Sequence, residues 1–222
     1  MTGEPLSVLM PEVVAHGTER RLAFWVLKED NFFRRLRPER YGEAVDFALQ
    51  AGRKAAEAAV VQYGREPEKM AAALQVSVKR SDEAPRAGKA ILFSEYGDRP
   101  PAITLYAPSM EEVNASILEN GLADLLGVSD VSRIHLVHEL YHHLDARKLT
   151  PGTAGFRVPT LTLGPIRLTT GLPSLAEIAA DRFASAVLRL KVPPKAFQFI
   201  TIHRYNPDYA WKLLEDIKKY PV

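Results

Sequence analysis

The residues best suited to chemistry lie in the segment His138-Glu139-Leu140-Tyr141-His142, which has the pattern H-E-x-x-H. Residues four apart share one face of an α-helix, so both imidazoles can bind the same metal ion. Glu139 lies about 100° around the helix, where its carboxylate reaches a water on the metal without binding the ion. The pattern therefore predicts a metal site with a general base beside it.

The sequence around the motif predicts a helix. No proline or glycine interrupts residues 131–148, and Pro151-Gly152 marks an end. Ser129 or Asp130 can cap the start of this helix.

A site with two histidines needs a third protein ligand, and Glu177 is the candidate. It lies in a second predicted helix that begins near Pro173, with Asp181 one turn further on the same face. Asp181 can accept the free ring N–H of a ligating histidine and fix its tautomer. The alternative is that Ser174 and Glu177 form only an S-x-x-E capping box. The upstream H-E-x-x-H favours metal ligation.

Three further residues near the motif have a chemically active side chain. His135 and His143 flank the motif, but the pattern already supplies three ligands, so we interpret both as neighbours of the site. Tyr141 is interpreted as a core residue rather than a catalytic one.

Composition describes an ordinary globular chain. The protein has 222 residues, of which 46% are hydrophobic and 25% charged, and it contains no cysteine. This length predicts one domain with a sizeable core, and the lack of cysteine excludes disulfides, thiol catalysis and cysteine-bound metals.

Charge and hydropathy give no signal for nucleic acid or membrane partners. The formal net charge is only +2, and the cluster of arginines at positions 34, 35, 37 and 40 is interpreted as a solvated helix end. The alternative for this cluster is a nucleic-acid contact. The first residues do not resemble a targeting segment and no apolar run reaches membrane-spanning length, so a cytoplasmic location is expected.

Apolar periodicity and turn residues predict the remaining elements. Residues 1–16 are expected to be irregular, Gly52 is expected to weaken the helix that contains it, and residues 150–171 are expected to form a hairpin turning at Gly164-Pro165. Predicted helices span residues 18–36, 41–63, 67–73, 108–126 (opened by a capping box at Ser109), 131–148, a segment from 174, and 207–219. Predicted strands span 76–78, 90–93 and 102–106.

The order of a sheet, an H-E-x-x-H helix and an E-x-x-A-x-x-F-A helix resembles the gluzincin metallopeptidases, and within them the compact ImmA/IrrE-type family. The residues that carry this resemblance are 138–142 and 177–184. Segments 69–78 and 187–193 are also similar to that family. The resemblance covers roughly residues 66–195, whereas residues 1–65 match nothing in it.

This resemblance implies a zincin-like α+β fold, in which a small, mostly antiparallel three-stranded sheet packs on the H-E-x-x-H helix between additional N- and C-terminal helices. Residues 66–222 would form the metallopeptidase domain and residues 1–65 a helical segment packed on it.

The implied activity is zinc-dependent hydrolysis of a peptide or protein substrate. His138, His142 and Glu177 would hold the Zn²⁺ ion, and Glu139 would act as the general base. His203 and Tyr205 are candidates for stabilising the oxyanion, although packing or surface exposure is the favoured interpretation of both. Zinc suits imidazole and carboxylate donors, but manganese, iron or cobalt can also occupy such a site.

Two alternatives to an enzyme remain. The first is a catalytically silent protein of the same fold that binds a protein partner as a regulator, against which the intact Glu139 argues. The second is a structural helical protein in which both metal helices are coincidental. Family analogy favours a regulatory peptidase that cuts one specific protein.

Overall fold

A computed structural model describes residues 4–87, 90–163 and 166–220. These residues form an α+β structure, as predicted, in which ten α-helices surround a small sheet and two short hairpins. The helices are α1 (Leu6–His16), α2 (Glu19–Lys28), α3 (Tyr41–Tyr63), α4 (Pro67–Ala73), α5 (Ala107–Glu119), α6 (Ala123–Leu126), α7 (Ser132–Ala146), α8 (Pro173–Leu188), α9 (Gln198–Tyr205) and α10 (Pro207–Lys218). The strands are β1 (Ser77–Ser81), β2 (Arg86–Ala87), β3 (Ala90–Ile91), β4 (Ser94–Asp98), β5 (Pro101–Tyr106), β6 (Arg157–Leu163) and β7 (Ile166–Gly171).

The three-stranded sheet is mixed rather than mostly antiparallel, which corrects the expectation from sequence. Its order is β1-β5-β4, with β5 in the centre. β4 and β5 form an antiparallel hairpin, whereas β1 pairs with β5 in parallel, Ser77 opposite Ala102. The parallel pair arises because the hairpin places its second strand, β5, between β1 and β4. The end of β1 and the start of β4 lie at the same edge of the sheet, opposite Tyr106 and Leu105 of β5.

The strand predicted at 90–93 forms only in part, as β3, which pairs with β2 outside the three-stranded sheet. The edge strand of the sheet is β4, which contains Gly97 and Asp98, two residue types that favour turns. Tyr96 pairs with the buried Ile103 of β5, and Gly97 pairs with Ala102. Pairing with the sheet therefore overrides the local turn preference.

The N-terminal segment was predicted wrongly. It forms α1, and Leu6, Leu9, Met10 and Val13 are buried at helical spacing. The next predicted helix, 18–36, ends as α2 at Lys28 and continues as short 3₁₀ turns.

Two other helix predictions need correction. The helix predicted over 108–126 divides into α5 and α6, because Gly121 adopts a left-handed conformation with φ of 65°. Its predicted capping box does not form, since the Ser109 hydroxyl is buried without a partner. α9 was not predicted.

The helix α8 packs between α3 and α7 through small residues. Ala179, Ala180 and Ala184 are fully buried, and a Cβ on Gly52 of α3 would lie 2.2 Å from the Ala179 carbonyl oxygen. Gly52 therefore allows close approach of two helices and does not interrupt α3, contrary to the predicted weakness. This packing brings the face of α8 that bears Glu177 against α7.

The predicted hairpin between the two metal helices is present as β6 paired antiparallel with β7. The turn predicted at Gly164-Pro165 lies outside the described residues. Val158 and the preceding Phe156 are buried in a cluster with α2 and α3. Among the helices that the structure describes, none combines the length and the apolar character needed to cross a membrane.

Candidate metal centre

The helix α7 presents the H-E-x-x-H motif from the middle of the core. Asp130 precedes the helix and accepts a hydrogen bond from the Ser132 N–H at 2.9 Å. The N-cap residue of α7 is Val131, which makes no side-chain cap, so the cap predicted at Ser129 or Asp130 lies one or two residues too early. The helix ends earlier than Pro151, because Lys148 turns left-handed with φ of 54°. Leu140 and Leu144 are buried on its inner side, which fixes the rotation of the helix and directs the two motif histidines towards α8.

His138, His142 and Glu177 converge. The two Nε2 atoms are 3.2 Å apart, Glu177 Oε2 is 3.3 Å from His138 Nε2, and Glu177 Oε1 is 3.4 Å from His142 Nε2. Ligand atoms held about 2.0–2.1 Å from a tetrahedral zinc ion are separated by about 3.3 Å. The three residues are thus spaced as ligands of one metal ion.

The hydrogen bonds of His138 show why this site needs a cation. Its Nδ1 donates to Asp181 Oδ1 at 3.0 Å, so in the neutral imidazole the proton lies on Nδ1 and Nε2 presents a lone pair. That lone pair faces a carboxylate oxygen of Glu177, and two acceptors repel unless a proton or metal ion lies between them. The donor set therefore fits a cation that all three residues share.

The pKa shifts have the same origin. Burial disfavours the charged form of His138, but its hydrogen bonds to Asp181 and Glu177 outweigh burial and hold the pKa well above the ordinary value. Burial raises the pKa of Glu177, and its hydrogen bonds to His138 and His142 reverse this and hold it well below the ordinary value. Without a metal the site keeps a proton, so protons and metal ions compete for it.

Glu139 lies beside the three ligands and does not join them. Its side chain is buried, and its Oε1 accepts a hydrogen bond from Ser94 Oγ at 2.7 Å. Ser94 begins β4, so the edge strand orients the carboxylate. Sequence reasoning missed Ser94, because nothing local marks a serine 45 residues away as a partner of Glu139.

A cavity of about 500 Å³ opens beside these residues. His138, Glu139, Glu177 and Asp181 line one side. The rest of the lining is largely apolar, with a few polar groups from the N- and C-terminal helical regions. The apolar lining includes Phe93, Val113, Val131, Ile134 and Phe197, and the polar lining includes Glu29, Asp30, Asn31, Ser94, Lys195 and Gln198.

The other histidines of α7 contact aromatic side chains. The His135 ring stacks on Phe93 with centroids 4.8 Å apart, and burial lowers the pKa of His135 to about 3. His143 is buried. The Tyr96 hydroxyl donates its one proton to Asp98 at 3.1 Å, so it accepts the Nδ1–H of His143 at 3.0 Å. Tyr141 is fully buried against Phe183, which confirms it as a core residue.

The structure does not place the two oxyanion candidates at the site. His203 Nε2 is bonded to the Glu4 carbonyl oxygen at 2.8 Å, and the exposed Tyr205 donates to Glu112 at 3.3 Å. Neither residue lines the cavity. Their position on α9 corrects the sequence-based suggestion, and packing and exposure account for both.

The capping-box alternative for Glu177 is also corrected. The residue at the N-cap of α8 is Leu172, which makes no side-chain cap, and the Ser174 hydroxyl is buried without a partner. The Glu177 carboxylate instead faces the histidines of α7.

Comparison of the chain with family models, with curated proteins and with solved structures found no match in any of the three. Three donor atoms spaced for one metal ion lie beside a buried carboxylate and an open cavity.

Proposed function

We propose that this protein is a zinc-dependent metallopeptidase. The observation that carries the proposal is the convergence of three residues next to a carboxylate that is not a ligand. The Nε2 atoms of His138 and His142 are 3.2 Å apart, and Glu177 places one oxygen 3.3 Å from the first and its other oxygen 3.4 Å from the second. A structural zinc site uses four protein ligands, whereas a catalytic one uses three and leaves a position open for water or substrate. Three donors beside a cavity support the catalytic kind.

His138, His142 and Glu177 would hold the ion, and imidazole nitrogen with carboxylate oxygen is a donor set that suits zinc. When bound, zinc lowers the pKa of a coordinated water towards about 7 and polarises the scissile carbonyl. Asp181 fixes His138 in the tautomer that offers Nε2.

Glu139 is the proposed general base. Its Oε1 is engaged by Ser94, so we assign Oε2 to the attacking water. Oε2 takes the proton from that water and passes it to the leaving amine. The bond from Ser94 keeps the carboxylate from turning away from the cavity, and the burial of Glu139 reduces competition from bulk water.

The cavity supports a peptide as the substrate. Its largely apolar lining can receive side chains, and its polar groups can bind a peptide backbone. The substrate is therefore proposed to be a peptide or an extended segment of a protein.

The test is metal analysis and peptide cleavage with the Glu139→Gln variant. Wild type and variant are each expected to contain one zinc ion per chain, and only wild type should cleave a mixed peptide library. Glu57→Gln is the matched control, since Glu57 forms only an exposed ion pair with Arg53 on α3; it should cleave like wild type.

The outcomes separate the candidate functions. Wild type without zinc would contradict the metal site. Zinc in both proteins without cleavage by either would favour a binding protein that regulates a partner. Equal cleavage by both would remove Glu139 as the general base.

A further inference from the structure

We propose that Asp30 is the positioning residue for the metal ligand Glu177, acting as the N-terminal cap of α8 from a distant part of the chain. This inference rests on the proposed metal site. It assigns a role to the N-terminal segment, which the sequence left without one.

Asp30 is fixed between two elements. It follows α2 by two residues and its side chain is 9% exposed. One carboxylate oxygen, Oδ1, accepts from the Phe32 N–H at 2.8 Å, which holds the carboxylate in its own loop. The other, Oδ2, accepts from the Ser174 N–H at 2.9 Å in a buried position.

The helix α8 has no local cap to replace this contact. Its first residue, Pro173, has no N–H, and Leu172 makes no side-chain cap. Ser174, which could cap another helix, lies inside the first turn with an unpartnered hydroxyl. Asp30 therefore supplies both the missing acceptor and a negative charge at the positive end of the helix.

Glu177 is the fifth residue of α8 and directly follows the first turn. In an α-helix the N–H of Glu177 bonds to the carbonyl of Pro173, so the ligand's backbone depends on this turn. Loss of Asp30 leaves the Ser174 N–H buried without an acceptor, which favours opening of the turn. Opening would move Glu177 away from the histidines, whereas His138 and His142 lie on α7 and keep their places.

The experiment measures the zinc affinity of the purified full chain by titration with zinc alone. Asp30→Ala is expected to weaken zinc binding by about 10-fold. Loss of a residue that supports a metal ligand typically lowers metal affinity by this factor or more. Asp30→Asn keeps a side-chain oxygen for the Ser174 N–H and should bind zinc more tightly than Asp30→Ala. Val13→Ala is the stability control, because Val13 is fully buried in α1 in a different core cluster.

A double-mutant cycle separates positioning from general destabilisation. If Asp30 acts through Glu177, Asp30→Ala should have no further effect on the residual zinc affinity of Glu177→Ala. An Asp30→Ala protein with wild-type affinity overturns the inference and leaves the proposed function standing. Equal weakening by Val13→Ala, or an undiminished effect of Asp30→Ala in the Glu177→Ala background, overturns it as well. A wild type that binds no zinc overturns the proposed function itself.

Discussion

The helix α7 carries four histidines, which form two pairs that differ in what they contact. His138 and His142 turn towards the acidic side chains of α8, with Nε2 atoms 3.2 Å apart. His135 and His143 turn towards the strand region, where they contact Phe93 and Tyr96. Neighbours from distant parts of the chain therefore decide which histidines can bind a metal.

The pKa values express the same difference. Burial opposes protonation of all three histidines with a resolved shift. Beside α8, the carboxylates of Asp181 and Glu177 outweigh the effect of burial and raise the pKa of His138. On the strand side no such compensation exists for His135, whose pKa falls to about 3 because of burial and the charge of His138. A metal ligand and a packing residue are thus distinguished by the charges around them.

The largest expected effect is that zinc is lost on substitution of His138 or His142 but not on substitution of His135. His138→Ala leaves two donor residues and should lose bound zinc on dialysis, and His142→Ala should behave alike. His135→Phe, which keeps a ring stacked on Phe93, should retain zinc. Elemental analysis of the dialysed proteins checks this. Loss of zinc from all three variants would contradict the proposed difference between His135 and the two metal-binding histidines.

A smaller effect is expected one contact further from the metal. Asp181→Asn removes the charge that accepts the His138 ring N–H and should weaken zinc affinity by roughly 10–100-fold. Competition with a chelator of known affinity measures it. Unchanged affinity would show that the contact at 3.0 Å does not influence the metal site.

Zinc affinity should also depend on pH through protonation of His138. The pKa of His138 lies well above 6.5 in the metal-free site, so protons compete with zinc even at neutral pH. Affinity should therefore fall as the pH is lowered from about 8 to about 6, above the range expected for an ordinary histidine. Affinity that is constant over this interval would contradict the role of His138.

His135 should determine part of the acid sensitivity of the metal-free protein. The folded pKa of His135 is about 3, below the ordinary value of 6.5, so unfolding between these two pH values takes up a proton. Its contribution to stability is present above about pH 6.5 and is lost as the pH falls towards 3. His135→Phe should flatten the decline in the urea midpoint measured with chelator present, and an unaltered decline would contradict this.

The smallest expected effect separates folding from metal binding. Tyr96→Phe removes the hydroxyl that accepts from the buried His143 and should lower the free energy of unfolding by about 1–3 kcal/mol. Zinc content should not change. Urea denaturation and metal analysis of the same preparation test both statements. Loss of zinc would mean that the contact of Tyr96 with His143 also supports the metal site.

Local spacing was enough to predict the centre of the site. The four-residue separations of His138 from His142 and of Glu177 from Asp181 are properties of one helix each, and both helices have clear start or stop signals. α3 was predicted with its observed bounds for the same reason. The three-stranded sheet was predicted less completely, since its edge strand β4 at Ser94–Asp98 was not predicted.

The sequence by itself determined which residues could be ligands, since helical geometry fixes neighbours within one or two turns. The tertiary structure alone decided that Ser94 orients Glu139 and that Asp30 caps α8. It also decided that His203 lies elsewhere, bonded to Glu4. These contacts join residues far apart in the chain, so they depend on how helices and strands pack and leave no local pattern.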